Sequence, residues 1–142
     1  MSRLRKIRKL LRILKINAKV CYGDEFCVIW SENRPKITIV SEKFEPSMLE
    51  MEFHKLLEKK YNISDVDFNL MATLHEVGHV FLNHCPDNEY NDAVHYIDSR
   101  LYKGDITITQ AQEEYSNLRF EREANEWSIN FYKNNRTLLD KI

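Results

Sequence analysis

The chain has few of the residues that break or tie a fold. Three glycines and three prolines in 142 residues leave no room for long flexible linkers or low-complexity tracts. No internal repeat is visible. The cysteines are odd in number, and Cys21, Cys27 and Cys85 form no C-x-x-C pair. That excludes a zinc ribbon and argues against a disulfide framework. Reduced thiols in a cytoplasm are expected, and a Cys21–Cys27 bridge would require an oxidising compartment. No apolar run approaches the about 20 residues of a membrane span. The basic start has no continuous apolar stretch, so a secretory signal is not expected either.

What remains is ordinary for a soluble globular protein: 43% hydrophobic and 30% charged residues. The length suits a single domain over residues 1–142. Net charge is −1, but it is unevenly spread. Residues 1–19 hold eight cations and no acid, so the other 123 residues carry 13 positive and 22 negative charges, a net −9. This basic start reads as an amphipathic helix. Leu4, Ile7, Leu11 and Leu14 follow helical spacing, with Leu10 and Ile13 widening the stripe. Six aliphatics make a full core-facing stripe, so the helix is expected to pack on the domain with its Lys and Arg solvated. The alternative is a basic arm for nucleic acid or anionic lipid.

KVCYGDEFCVIW and RPKITIVSEKF are rich in β-branched and aromatic residues and predict strands, divided at Tyr22–Asp24 and Ser31–Asn33. Ile37–Val40 is the strongest of them. Pro46 breaks the pattern, and residues 47–60 read as a helix. Ser64, with Asp67 three residues on, predicts the start of another helix running to about His84 and stopping at Cys85-Pro86. Residues 87–108 give no clear pattern. Thr109 with Gln112 predicts a capping box for one long helix reaching about Asn134.

The chemistry lies in HEVGH, residues 75–79. On a helix, His75 and His79 stand one turn apart on one face and can reach one metal. Glu76 points about 100° round the axis, so it can reach a water beside the metal without binding the metal itself. Two ligands and a general base thus share one rigid element. The helix is apolar on nearly every side (Leu70, Met71, Leu74, Val77, Val80, Phe81), and polar groups there need partners. Gly78 costs about 1 kcal/mol in a helix interior relative to Ala, which predicts close approach of another element at that turn.

A catalytic zinc usually takes three protein ligands. In LRFEREANEWSINFY, a wheel stepping about 100° per residue places Ala124, Ser128, Tyr132 and Asn125 within about 60° of Glu121. Glu123 falls on the far side with Arg119 and Asn130. A carboxylate centred on a core-facing stripe needs a partner, and a metal suits it best. His75, His79 and Glu121 are therefore the expected ligands, with Asn125 one turn on to orient a ligand. Glu114, His84 and His95 are lesser candidates for the third position, His84 because a continued helix would turn it away from His79. An ordinary Glu–Arg pair at Glu121 is the plain alternative.

HEVGH followed by Glu121, Glu123, Ala124, Asn125 and the aromatic Trp127 resembles the ImmA/IrrE zinc metallopeptidases, which are gluzincins. The resemblance covers about residues 37–131. It implies an α+β metallopeptidase-like domain, a short sheet packed against the HExxH helix with a glutamate-bearing C-terminal helix alongside. It implies zinc on His75, His79 and Glu121 with Glu76 as base, and an endopeptidase that cuts helix-turn-helix repressors of mobile elements or stress responses; the cysteine usage places it in the cytoplasm. The stretch between His79 and Glu121 is long for that family. A protein substrate is the expected partner, pairing along the sheet beside Ile37–Val40, with nucleic acid a lesser expectation. Tyr90, His95 and Tyr96 are candidate donors to the reacting oxygen. The rival readings are a non-catalytic metal-containing module that recognises a repressor or nucleic acid, and a purely structural cluster without metal.

Overall fold

A computed structural model describes residues 2–64 and 66–141. The fold is α+β and mostly helical, with one small three-stranded sheet. Among the described residues no helix is long and apolar enough to cross a membrane.

Helix α1 spans Arg3–Ile13, and the Ser2 hydroxyl accepts the Arg5 N–H at its start. It buries Ile7, Leu10 and Leu11, while Ile13 stays exposed. It ends before residue 19 because Lys15 adopts a left-handed φ of 57°. Three short strands follow: β1 (Lys19–Tyr22), β2 (Cys27–Ile29) and β3 (Lys36–Ile39). β3 lies in the middle, parallel to β1 and antiparallel to β2. This order overturns one sequence expectation and disposes of the Cys21–Cys27 bridge. No peptide can pair beside Ile37–Val40, because both edges of β3 are taken. Cys21 and Cys27 both face Thr38 from opposite sides. They sit two strand spacings apart, about 9–10 Å, too far for a disulfide. All three cysteines are free.

One face of the sheet supplies the main core. Val20, Ile37 and Ile39 pack with Ile7 and Leu11 of α1 and with Val77 of the HExxH helix. Helix α2 (Met48–Lys60) opens with a full capping box between Ser47 and Glu50. Its His54 ring bonds the Val66 carbonyl at 2.8 Å and fixes the link to the next helix.

Helix α3 (Phe68–Phe81) is capped by Asp67, whose carboxylate accepts the Leu70 N–H at 2.8 Å. Ser64 is not the cap: the charged acceptor three residues later is the stronger partner for a helix N-terminus. The helix also stops earlier than its apolar pattern suggests. Asn83 takes φ 56°, and the N–H groups of Asn83 and His84 bond back to Val80 and His79. This left-handed turn closes the helix and reverses the chain. Residues 88–102, unreadable in sequence, form α4 (Asn88–Tyr102), which buries only Ile97.

The expected single C-terminal helix is two. Helix α5 (Ile108–Ser116) is opened by a capping box of Thr107 with Gln110, not Thr109 with Gln112. Both pairs have the same spacing, and the earlier one puts Ala111 in the core. The Ser116 hydroxyl then bonds back to Glu113, and Leu118 turns to extended backbone. Helix α6 (Arg119–Asn134) starts there, and α7 (Arg136–Lys141) follows it.

Candidate metal centre

Helices α3 and α6 pack directly on each other, and Gly78 is the contact. A Cβ there would lie 3.0 Å from the Trp127 ring and 3.3 Å from the Ala124 carbonyl. Glycine is needed because the partner helix already fills that space. The same close approach brings His75, His79 and Glu121 together. The break before α6 also places Glu121 in its first turn, where the helix dipole favours a carboxylate.

The His75 and His79 Nε2 atoms are 3.0 Å apart. Each lies 3.1 Å from a different oxygen of Glu121. Glu121 is only 4% exposed, and the histidines are mostly covered. The tautomers follow from the outer partners. His75 Nδ1 lies 2.7 Å from Asn125 Oδ1, an acceptor. It must therefore donate, which leaves a lone pair on Nε2. His79 Nδ1 lies 3.0 Å from His84 Nδ1. Burial holds His84 below its ordinary pKa, which favours the neutral ring that accepts from His79. Its other nitrogen faces Glu123 at 3.7 Å. His79 Nε2 is thus also left with a lone pair.

Two nitrogen lone pairs and a carboxylate converge on one point, and only a cation satisfies all three. Tetrahedral bonds of about 2.0–2.2 Å require ligand atoms about 3.3 Å apart, close to the spacing found. The three residues can hold a metal ion. Without an ion, a proton must serve. Burial lowers the His75 pKa, but the Glu121 hydrogen bond and the Glu76 and Glu121 charges outweigh it and raise it. Burial likewise raises Glu121, yet its two histidine partners hold it well below the carboxylate range. Glu76 is pushed up by burial, against the pull of both histidines.

Glu76 is not used in the hydrogen bonds that join the three ligand candidates. It lines a hollow with His79, Glu121, Tyr90, Tyr115 and the edge strand β2. It also lines a wider cavity that includes His75, walled by Phe26, Phe44, Phe53, Phe68 and Met71.

Asn125 thus holds His75. Of the lesser ligand candidates, Glu114 pairs with Arg100 and His95 is exposed on α4. His84 is returned to the site by the Asn83 turn and stacks on Phe120 with centroids 4.4 Å apart. It holds His79 from behind. Of the donor candidates, Tyr96 is 62% exposed. The Tyr90 hydroxyl donates to Glu121 Oε2 at 3.0 Å and meets the Tyr115 hydroxyl at 3.1 Å. Burial and the Glu121 charge keep both phenols protonated. The sequence reading missed Tyr115 and misjudged His84. Asn83, which tolerates the left-handed turn, and Pro86 after it were the available signals for the reversal. Comparison with protein-family models, with curated proteins and with solved structures found no match.

Proposed function

We propose that the chain is a zinc-dependent endopeptidase of the ImmA/IrrE type, acting on a regulatory protein such as a helix-turn-helix repressor. One observation carries this reading. Beside a set of three converging ligand groups stands a carboxylate, Glu76, that opens onto two hollows and takes no part in holding the set. A purely structural metal site has no use for it.

A zinc ion held by His75, His79 and Glu121 would polarise a peptide carbonyl and acidify an attacking water. Glu76 takes the proton from that water and passes it to the leaving amine. Its raised pKa suits it to both steps. Asn125 and His84 keep the two imidazoles in the ligating tautomer. Tyr90, with Tyr115 behind it, offers a protonated phenol at the rim for charge that develops on the carbonyl oxygen. Substrate would add as a strand to β2, whose Cys27 and Val28 line the hollow beside Glu76. The cavity walled by Phe26, Phe44, Phe53 and Phe68 suits a large apolar side chain next to the cut bond.

The test uses zinc-loaded protein and a proteome-derived peptide mixture, with new N-termini read by mass spectrometry. Cleavage by the wild type and none by Glu76→Gln at full zinc content is the expected result. Equal cleavage by the variant, or none by the loaded wild type, would remove the peptidase reading.

A further inference from the structure

The strand β1 lies on the opposite edge of the sheet from the hollow that β2 lines. There, α1 and the turn before β3 form a groove lined by Arg8, Arg12, Asn17, Lys19, Arg34 and Lys36, with no acid on its walls. A second, adjoining hollow shares Lys19, Arg34 and Lys36 and is again without an acid. None of the five cations enters an ion pair among the described residues.

This arrangement costs stability. Arg8 and Arg12 are like charges one helical turn apart, which is unfavourable. Lys19 and Lys36 are register partners on neighbouring strands, and like charges facing across strands are unfavourable too. The chain outside residues 1–19 has a net charge of −9, so acids were available to relieve both pairs. Two of the guanidiniums are also held in place: Arg34 Nη1 by Asn17 Oδ1 at 3.4 Å, and Arg8 Nη2 by the Val20 carbonyl at 3.4 Å. Held guanidiniums suit phosphate oxygens, which they bind in a fork geometry.

We propose that this groove binds the phosphodiester backbone of a nucleic acid. An anionic membrane is the other source of clustered phosphates. It fits less well, because insertion needs a free apolar face, and α1 has buried its own (Ile7, Leu10, Leu11) against the domain. Contacts made by such cations to phosphates fix position and carry no base sequence. The basic hollows share no lining residue with the hollow beside Glu76, so a nucleic acid bound there leaves the metal centre open to another molecule. The inference does not depend on the peptidase reading.

The test is fluorescence anisotropy of the full chain with a short labelled DNA duplex of arbitrary sequence. With five cations engaged, log K should fall with log salt at a slope of about −4 to −5. That is a loss of several hundredfold between about 50 and 200 mM salt. The double variant R12Q/K36Q should lower the slope magnitude by about 2. The control K55Q/K59Q on α2 should leave it unchanged. Circular dichroism and melting confirm that each variant is folded. No binding at low salt, or equal binding by R12Q/K36Q and wild type, would overturn the proposal. So would tighter binding to phosphatidylserine vesicles than to the duplex at equal phosphate.

Discussion

The metal centre and the β1 edge both crowd groups that repel or compete, but they resolve the crowding differently. Between α3 and α6 the groups are buried, and every one has an outer partner: Asn125 for His75, His84 for His79, Tyr90 for Glu121. At the β1 edge Arg8, Arg12, Lys19, Arg34 and Lys36 have no ion-pair partner among the described residues. Burial explains the difference. A polar group removed from water must be satisfied inside the fold, whereas an exposed cation can wait in solvent for an external partner at small cost. The buried cluster can hold one small ion, and the exposed one is the site proposed for an extended anion.

The sharpest way to break the comparison is to remove a ligand. Glu121→Ala should abolish stoichiometric zinc binding, read by calorimetric titration, because the two histidines alone leave the site open. Next in size is the metal itself. Chelation should lower stability by about 4 kcal/mol relative to protein in zinc at 1,000 times its Kd, seen as a drop in Tm. Zinc uptake should also weaken as pH falls. The His75 pKa lies above its ordinary 6.5, so a proton competes with the metal from the neutral range downward. NMR of chelated protein should show His75 titrating above that value and His84 below it. Affinity that is flat between pH 8 and 6 would mean that these histidines do not bind the ion.

Smaller effects test the supports. Asn125→Ala and His84→Phe should each weaken zinc binding by about 10–100-fold while leaving its stoichiometry intact. Gly78→Ala forces a methyl against Trp127 and Ala124. Overpacking of about 1–3 kcal/mol exceeds the about 1 kcal/mol gained in helix propensity, so denaturant melts should show a net loss. At the β1 edge the sign reverses. Arg12→Gln should stabilise the protein by a few tenths of a kcal/mol by relieving its repulsion with Arg8. A loss of stability there would erase the contrast between the two regions.

The parts legible in the sequence are those where burial imposes a period. The wheel around Glu121 places Ala124, Asn125 and Ser128 with it, and all four are buried in α6. Gly78 predicts a close neighbour, and α6 is that neighbour. The α1 stripe and the three strands follow from the same patterning. What was not legible depends on single turns or on weak burial. α4 buries only Ile97, so it has no apolar stripe to read. The reversal at Asn83 and the break at Asn117–Leu118 each rest on the backbone of one or two residues. A helix pattern running through them hides His84 and fuses α5 and α6 into one helix. The central position of β3 is set by pairing between distant strands, which periodicity does not report.

The most direct test of the metal centre is zinc content by inductively coupled plasma mass spectrometry, on protein purified without chelators and then supplied with zinc. Wild type should hold about one zinc per chain, and His75→Ala and Glu121→Ala, still folded by circular dichroism, should hold little. Zinc absent from the wild type, or retained at full stoichiometry by both variants, would contradict the account.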